Sequence, residues 1–389
     1  MSLAADWTTA LLAELPYAQD LRRKVHAEPR TGGYEQPTAA LVAAAIGQPD
    51  APAVAEGRII RIGPADGPAI AVRAELDALP IVERTGVPWA SANGAMHACG
   101  HDVHLAALTA LARSARTLDL PVAMLALLQP REESFPLGAK DFVESAELAR
   151  HDVRAVIGAH VQPRIPVGEV AATPGPVNAS FDDVAITVSG RGGHAAYPQD
   201  ARDPIVAAAA IVLALQQVVS RRTDPLAPTV LTIGAIHAGQ ASNVIPETAS
   251  LLASLRTYSE AERVRLLDLI GTIAAHTALA YGCTAVTEAS LGEPVLDNDP
   301  ALTEAVWAQL SPQGLTLSAP LRSCGSDDFS FYSALFPALM MFVGVRTAGS
   351  FEQQPSLHSA LFLPGDDAVE RVARAMLAGF LGACSLVID

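Results

Sequence analysis

The sequence predicts an α/β protein with a mostly parallel sheet and a smaller α+β domain inserted into it. In the first part of the chain, short and continuously apolar runs alternate with helical patterns, which is typical of strands buried on both faces of a parallel sheet. In the middle, half-exposed strands and two helices follow the order β-α-β-β-α-β, which is the ferredoxin-like arrangement. A chain of 389 residues also exceeds what one hydrophobic core usually supports.

Three apolar runs in the first part of the chain are predicted to be strands of the large sheet. The run AIAVRAELDALP starts at Ala69 and continues past Asp77, VAMLALLQPREES ends in Glu132 and Glu133, and VRAVIGAHVQP contains His160. A helical pattern, HLAALTALARSAR, lies between the first two runs. In open α/β sheets, ligands bind outside the carboxyl ends of the strands. We therefore expect the polar side chains at the three strand ends to meet in one site.

The inserted domain is predicted at about residues 178–290, so that residues 1–177 and 291–389 form one discontinuous catalytic domain. Its strand candidates are FDDVAITVSG, TVLTIGAIHAG, ASLLASLRTYS and CTAVTEAS. Its helical patterns run from Asp203 to Arg222 and from Glu260 to Tyr281. A helix (ALTEAVWAQL), a strand (ALMMFVGV) and an amphipathic helix (DDAVERVARAMLAGFLG) are predicted to return the chain to the first domain.

Composition excludes several classes of partner. The chain has 26 Lys and Arg against 41 Asp and Glu, a formal net charge of −15, and would repel nucleic-acid phosphates. Its four cysteines lie far apart, which is unlike a disulfide framework and favours a reducing compartment. The first residues do not resemble a signal peptide, and the longest apolar run, IVAAAAIVLAL, is too short to span a bilayer. We expect a soluble cytoplasmic protein with no membrane partner, in which that run is a buried helix.

The segment MHACGHDVH concentrates a cysteine and three histidines in a chain that has only 10 His and 4 Cys. Cys99 and His101 precede a predicted helix that begins near His104, and a helix N-terminus lowers a thiol pKa and favours the thiolate. Gly100 permits the sharp turn that lets both side chains reach one ion. By itself the motif fits either a metal site with a thiolate ligand or a buried structural cysteine beside solvated histidines.

Further candidates lie elsewhere in the chain. Glu132 and Glu133 fit two solvated loop acids, or one metal ligand beside a carboxylate that holds water or a proton, because neighbours on a strand end point in different directions. His160 and His358 by themselves fit satisfied polar residues equally well, and Asp77 fits a supporting carboxylate or a helix cap. Together with the thiolate motif, these groups exceed what one tetrahedral zinc needs. They predict two metal ions that share a bridge.

Eight motifs carry a resemblance to a known family over nearly the whole chain. They are RAELDALP, MHACGHDVH, QPREES, GAHVQP, SGRGGHAAYP, SNVIPE, GSDDFSFY and LHSALF. In this order they resemble the metal-dependent N-acyl-amino-acid amidohydrolases, which include hippurate hydrolase, aminoacylases, N-acetyl-diaminopimelate deacetylase and the indole-acetyl-amino-acid hydrolases. The family is similar to dinuclear-metal carboxypeptidases, which implies a carboxypeptidase-like catalytic domain with an inserted lid and dimerisation domain.

The resemblance implies two divalent metal ions per subunit. The ligands that it implies are Cys99, as a bridge, with His101, Glu133, His160 and His358. A ligand set of thiolate and imidazole favours zinc, cobalt or nickel over magnesium or calcium, and manganese remains a candidate where availability decides. We expect zinc or manganese, with cobalt and nickel as further candidates.

The resemblance also implies the other roles at the site. Glu132 would be the general base and later the general acid, and His194 in GRGGHAAYP would stabilise the tetrahedral oxyanion. Asn243 and Arg256 would bind substrate, since an Arg suits a carboxylate through bidentate bonding, and Asp77 would support the metal site. The inserted domain would pair two subunits, which predicts a homodimer.

Arg131 stands where the family usually has a small residue before the two glutamates. A guanidinium beside Glu132 would depress the pKa of that base unless it points away. The leading hypothesis is a hydrolase that cleaves the amide bond of N-acyl amino acids, either hippurate-like or N-acetyl substrates. The alternatives are a dipeptidase or carboxypeptidase on the same site, and a catalytically silent protein that only holds metal.

Overall fold

The computed structural model of the protein describes residues 3–347 and 349–388. Its helices are α1 (Leu3–Ala27), α2 (Gln36–Ile46), α3 (His101–Ala115), α4 (Gly138–Val143), α5 (Ala146–Ala149), α6 (Pro204–Arg222), α7 (Glu260–Ala280), α8 (Pro300–Leu310), α9 (Ser330–Ser333) and α10 (Asp367–Ile388). Its strands are β1 (Ala53–Val54), β2 (Gly57–Ile62), β3 (Pro68–Glu75), β4 (Ala123–Gln129), β5 (Asp152–Pro166), β6 (Glu169–Ala171), β7 (Gly175–Asn178), β8 (Asp182–Ser189), β9 (Gly193–His194), β10 (Thr229–Ala238), β11 (Val244–Ile245), β12 (Thr248–Thr257), β13 (Thr284–Leu291), β14 (Leu296–Asn298), β15 (Thr316–Leu317) and β16 (Ala338–Arg346).

The chain divides into two compact units. The first comprises the chain up to Gly175, Asp297–Leu321 and the chain from Asp328 onward, and the second comprises Pro176–Leu296 and Arg322–Asp327. The segment 178–290, expected to be an inserted domain, lies inside the second unit. The short second segment of that unit has no counterpart in the boundaries expected from the sequence.

The first unit is built on an eight-stranded sheet in the order β1-β2-β4-β3-β5-β16-β6-β15. The central pairs β4–β3, β3–β5 and β5–β16 are parallel, whereas β2 joins β4 and β6 joins β16 in antiparallel fashion. All of β4 and nearly all of β3 and β16 are buried, which explains why these strands are continuously apolar in the sequence. The predicted mostly parallel sheet is confirmed.

Helices α1, α3 and α10 share the main core of the first unit. Trp7 of α1 packs edge-on against Phe380 of α10 with ring centroids 5.0 Å apart, and its indole N–H donates to Ser114 Oγ of α3 at 2.9 Å. No prediction covered α1 or α2. Apolar residues recur every three or four positions from Trp7 to Val25, a helical period in α1 that was overlooked, whereas α2 is apolar around most of its circumference and shows no clear alternation.

The second unit contains a four-stranded antiparallel sheet in the order β10-β12-β8-β13. The chain order β8-α6-β10-β12-α7-β13 confirms the predicted ferredoxin-like arrangement. Both helices begin at side-chain caps, since the Asp203 carboxylate accepts from Ile205 N at 2.8 Å and the Ser259 hydroxyl accepts from Glu262 N at 3.4 Å.

The run IVAAAAIVLAL forms the first half of α6, but the expectation that it is buried is right for only one face. Ala207, Ile211 and Leu215 are buried against the sheet, whereas Leu213 is 75% exposed. A helix packed on a sheet can bury only one side, and the small, apolar Ala residues hide that asymmetry in the sequence.

Helices α6 and α10 are both long and apolar enough to cross a membrane by length and composition. Each instead packs against a sheet of its own unit, α6 on β10 and β12 and α10 on β5 and β16. Both helices therefore bury an apolar face against the sheet of their own unit.

Candidate metal centre

The turn between Cys99 and the start of α3 strongly favours glycine. Gly100 has a φ of +87°, in the left-handed region, and a Cβ at this position would lie 2.5 Å from Val161 Cγ2. The turn places Cys99 immediately before the helix and makes His101 its first residue. Both side chains are buried.

His101 is held in one tautomer by the backbone after β3. Its Nδ1–H donates to the carbonyl oxygen of Asp77 at 2.8 Å, so Nε2 is the nitrogen that would bind a metal once the ring is neutral. Nε2 is buried, has no hydrogen-bond partner in the described part of the chain, and lies 3.9 Å from Glu132 Oε2. Burial lowers the pKa of His101, but the hydrogen bond to Asp77 and the charges of nearby carboxylates outweigh it and raise the pKa to about 10. The site therefore attracts a cation to this nitrogen.

His160 reaches Cys99 from strand β5. Its Nδ1–H donates to the Val161 carbonyl oxygen at 2.7 Å, and its Nε2 lies 3.4 Å from Cys99 Sγ. Burial, and then the proximity of His104, hold the pKa of His160 well below its usual range. The ring is therefore neutral, which is the form that binds a metal.

The pKa of Cys99 contradicts the expectation from its position before a helix. Burial first, and then the charges of Glu133 and Glu132, raise the pKa of the Cys99 thiol well above its usual range. Desolvation and two carboxylates outweigh the partial charge of one helix end. In the metal-free chain Cys99 is a thiol, and a coordinating cation would have to displace its proton.

Glu133 and His358 complete the group around Cys99. The Glu133 backbone N–H donates to Asp77 Oδ2 at 2.9 Å, and its Oε1 lies 3.0 Å from His358 Nε2. His358 has a φ of +65°, and its backbone N–H donates to the Ala98 carbonyl at 2.9 Å, beside Cys99.

Two overlapping groups offer metal-ligand atoms that lie within 4.8 Å of one another. One group is Cys99, Glu133 and His358, and the other is His101, Glu132 and Glu133. Because Glu133 belongs to both, and His160 contacts Cys99, the structure gathers the expected ligands and the expected base into one region of the first unit. A thiolate, imidazoles and carboxylates in this arrangement fit zinc and related divalent ions.

A third group, formed by Glu75, His101, His104 and His160, has a different character. His104 Nδ1–H donates to Glu75 Oε2 at 2.8 Å, and His104 Nε2 accepts from Val161 N–H at 3.0 Å, so both of its ring nitrogens are occupied. His104 therefore braces the backbone next to His160.

A buried charge network that the sequence analysis missed lies behind His104. Arg73 forms ion pairs with Glu75 and Asp328, the latter at 2.6 Å, and its Nε–H donates to Gln129 Oε1 at 2.9 Å. The only sequence signal was an Arg within the apolar run AIAVRAE, where a charge needs a partner.

The side chain of Arg131 points away from Glu132. Its Nε lies 2.9 Å from Glu56 Oε2, its Nη1–H donates to the Pro136 carbonyl, and its Nη2 pairs with Asp141. The guanidinium is therefore neutralised by two other carboxylates. The concern that it would depress the pKa of the neighbouring base does not arise from this geometry.

His194 and Asn243 lie together in the second unit. Strand β9 pairs with β11, the Ala195 N–H donates to the Asn243 carbonyl at 3.1 Å, and both residues line a cavity of about 480 Å³. The Ala196 N–H donates to His194 Nδ1 at 3.1 Å, so the neutral ring carries its proton on Nε2 as a hydrogen-bond donor.

Arg256 is not brought to this pair within the second unit. It lies near the far end of β12, about 25 Å of strand from Thr248, which follows the Asn243 segment. Its Nη1–H donates to the Cys324 carbonyl at 3.0 Å, and its guanidinium lies 4.7 Å from the centroid of the Phe181 ring.

The fold and this cluster define a class of protein, the metal-dependent hydrolases built on a carboxypeptidase-like α/β unit. Residues 71–376 match the model of peptidase family M20/M25/M40. The chain belongs to this family and is a metal-dependent amidohydrolase, as the sequence motifs predicted.

Two relatives illustrate the similarity in sequence. The chain is 37% identical to an N-acetyldiaminopimelate deacetylase of Listeria monocytogenes over 302 residues, which cover 77% of this chain and 80% of the relative. It is 38% identical to an N-acetyl-L-cysteine deacetylase of Bacillus subtilis over 285 residues, which cover 72% of this chain and 68% of the relative.

Two solved structures share the whole fold. A protein assigned as an aminohydrolase from methicillin-resistant Staphylococcus aureus has a TM-score of 0.92 at 29% identity, with 97% of this chain and 99% of that chain covered. A dinuclear metal binding peptidase of the M20 family from Bacillus subtilis has a TM-score of 0.82 at 28% identity, with 96% and 99% covered.

Proposed function

We propose that this protein removes the acyl group from N-acyl amino acids by hydrolysis of the amide bond, with N-acetyl amino acids as the first substrates to test. The observation that carries the proposal is the cluster of buried Cys99 and His101 with partly buried Glu133, exposed His358 and Glu132 beside them. The names of the Listeria and Bacillus relatives support an acetyl group on an amino acid. Hippurate-like acyl groups remain the second substrate class within the same chemistry.

We propose two divalent metal ions per subunit, held by Cys99, His101, Glu133, His160 and His358, with zinc or manganese before cobalt or nickel. The fit rests on the donor set and on His101 Nε2, a buried ring nitrogen without a hydrogen-bond partner in the described residues. Asp77 supports this set by accepting from Glu133 N–H and from His101. When bound, the ions would polarise the substrate carbonyl and lower the pKa of water.

Glu132 takes the proton of the attacking water and later delivers it to the leaving amine. Its side chain is 11% exposed and faces His101 Nε2 at 3.9 Å, so it borders the ligand group and still reaches solvent. A positioned carboxylate of this kind contributes about 10²–10⁴-fold to a rate.

His194 and the two substrate residues act on the rest of the substrate. His194 presents its Nε2–H, fixed by the Ala196 N–H on Nδ1, as a donor for the developing oxyanion. Asn243 lines the same cavity. Arg256 binds the carboxylate of the amino acid, to which a guanidinium can donate two parallel hydrogen bonds.

We propose a homodimer in the cytoplasm. Within one copy of the second unit, Arg256 lies near the carboxyl end of β12. His194 and Asn243 lie together beside the segment that leads into the other end of that strand. A second copy would allow one substrate to meet all three residues. Light scattering at working concentration tests this, and a monomeric mass for an active enzyme would contradict it.

The first experiment measures hydrolysis by chelator-stripped protein that is re-supplied with zinc, manganese, cobalt or nickel. The substrates are acetyl-leucine, acetyl-cysteine, hippurate and the dipeptide Gly-Leu. We expect metal-restored release of acetate from the acetylated amino acids. Faster cleavage of Gly-Leu would replace the deacetylase with a dipeptidase, and stoichiometric metal binding without turnover of any substrate would favour a protein that only holds metal.

Glu132→Gln tests the assigned base. We expect normal metal content and a kcat lower by about 10²–10⁴-fold. The control is Glu144→Gln, which changes an exposed glutamate at the end of α4 and should leave kcat unchanged. Full turnover by the Glu132 variant with both ions bound would show that another group moves the proton.

A further inference from the structure

Glu35 is a fully buried carboxylate that the roles described so far do not use. It occupies the N-cap position of α2, yet its side chain makes no hydrogen bond to that helix. A capping carboxylate ordinarily accepts from the first N–H groups of its own helix. Glu35 Oε1 instead accepts from the backbone N–H of Arg131 at 2.8 Å, in a segment 96 residues further along the chain.

Arg131 is a strained point of the backbone directly before Glu132. Its φ is +51°, in the left-handed region that residues other than glycine rarely adopt. The side chain is anchored by Glu56 and Asp141, and the backbone N–H is anchored by Glu35. Three separate carboxylates therefore hold this residue in a conformation that its own backbone disfavours.

Glu132 lies between two such anchors. On one side Glu35 holds the Arg131 N–H, and on the other side Asp77 Oδ2 holds the Glu133 N–H at 2.9 Å. The segment before Glu35 also packs closely on this loop, because a Cβ on Gly32 would lie 1.9 Å from Ser134 Oγ. The direction in which Glu132 leaves the backbone is thus fixed from both ends.

We propose that Glu35 is a positioning residue for Glu132, acting through the backbone of Arg131. The proposal rests on the role proposed above for Glu132. A carboxylate at this depth is costly, since Glu35 Oε2 is buried without a hydrogen-bond partner in the described residues. Burial raises the pKa of Glu35 to about 7. An apolar side chain would avoid this cost but would leave the Arg131 N–H buried without an acceptor.

Three substitutions separate the hydrogen bond from the charge. Glu35→Gln keeps a carbonyl acceptor of the same reach, Glu35→Asp keeps the charge but shortens the side chain, and Glu35→Leu removes the acceptor. A misplacement of about 1 Å at a catalytic group costs on the order of 100-fold in rate. We expect kcat to fall about 100-fold in Glu35→Leu and about 10-fold in Glu35→Asp, and to stay within about 3-fold in Glu35→Gln.

The assay is steady-state hydrolysis of an acetylated amino acid by the metal-loaded holoenzyme, with metal content measured in parallel. A positioning role predicts an unchanged metal content and a KM within about 2-fold, so that the loss falls on kcat. The matched control is Asp299→Leu, which removes the N-cap of α8, where the Asp299 carboxylate accepts from Leu302 N at 2.7 Å. This substitution removes a partly buried helix-capping hydrogen bond in the same unit and should leave kcat unchanged.

A double substitution tests whether Glu35 acts through Glu132. In a Glu132→Gln background, Glu35→Leu should lower the residual rate by less than about 3-fold, because the group that it positions is already removed. A further loss of 100-fold would assign Glu35 a general structural role and overturn the proposal. If Glu35→Leu does not fold, the kcat of Glu35→Asp decides. A fall of about 10-fold supports the positioning role, and an unchanged kcat overturns it.

The failure of this inference is distinguishable from the failure of the proposed function. Full turnover by the Glu132→Gln variant would refute the assignment of Glu132 as the general base, and a positioning role for Glu35 would then have no purpose. Loss of turnover in Glu132→Gln together with full turnover in Glu35→Leu and Glu35→Asp would leave the base in place and refute the positioning role.

Discussion

Substitution of Gly100 by alanine tests the turn that joins Cys99 to α3. The left-handed φ of +87° costs an alanine about 1–2 kcal/mol relative to glycine. The added Cβ would also lie 2.5 Å from Val161 Cγ2, a contact in the buried core that has to be relieved by movement, at roughly 1–3 kcal/mol. We expect a loss of about 2–5 kcal/mol in the free energy of unfolding.

Movement at this turn would also reach the metal ligands. Cys99 and His101 flank Gly100, and Val161 accepts the His160 Nδ1–H, so a shift on either side of the contact displaces a proposed ligand. Changes that misorient ligands typically cost 10–100-fold in metal affinity. We expect Gly100→Ala to lose metal affinity by about that factor.

The assay combines denaturant unfolding of the metal-free protein with zinc titration against a competing chelator. The control is Gly168→Ala, which has nearly the same φ of +88° but nothing within 4 Å of an added Cβ. It should lose only the backbone contribution of about 1–2 kcal/mol and bind zinc normally. Equal stability of the two variants with equal zinc affinity would refute the reasoning, because the close approach to Val161 would then constrain nothing.

Three further predictions concern Asp77, the proposed ligands Cys99 and His101, and Glu35. Asp77→Ala should reduce zinc affinity about 10–100-fold, measured by chelator competition, because it removes the acceptor of the Glu133 N–H; an unchanged affinity would contradict this. Zinc affinity should fall roughly 100-fold for each unit of falling pH between pH 8 and pH 6. The reason is that the pKa of Cys99 is raised and that of His101 is about 10, so zinc binding displaces two protons. Calorimetry in two buffers measures the released protons, and release of none would contradict the prediction. Because the pKa of Glu35 is raised to about 7, its ionisation destabilises the fold; this destabilisation is absent below about pH 4.5 and complete above pH 7. Glu35→Gln should therefore gain up to about 3 kcal/mol in the free energy of unfolding at pH 8 relative to pH 4, measured with denaturant. A gain that is the same at both pH values would contradict the prediction.

The elements that position the site could be predicted because each is specified by its own residues. Strands β3 and β4 are continuously apolar, since they are buried on both faces, and Asp77, Glu132 and Glu133 follow their carboxyl ends. Parallel strands bring those ends to one edge of a sheet. The expectation of a strand end at His160 is wrong, because β5 continues to Pro166 and His160 lies within it. Local pattern and one rule of topology were therefore enough to gather Asp77 and Glu133, whereas His160 lies near the end of β3 because Gly158 pairs with Arg73.

Other features depend on contacts between distant segments, which no local pattern contains. The partner of Arg73 is Asp328, 255 residues away, and the direction of Arg131 is decided by Glu56 and Asp141. The pKa of Cys99 shows the same limit. The helix end next to it is visible in the sequence, but burial and the two carboxylates that outweigh it are brought there only by the fold.

The raised pKa values of the site express one physical fact, an excess of negative charge in a buried place. At His358 the hydrogen bond to the Glu133 carboxylate raises the pKa, and burial opposes it. At His101 burial is the largest single effect and lowers the pKa, but the hydrogen bond to Asp77 and the charges of nearby carboxylates together outweigh it. In the metal-free chain, a proton on His101 supplies part of the compensating charge. A divalent ion bound at His101 needs that ring neutral and supplies the charge itself, so the proton and the metal compete for the same nitrogen. Metal should therefore stabilise the first unit more at pH 8 than at pH 6, since ligand binding stabilises a fold in proportion to the logarithm of its affinity.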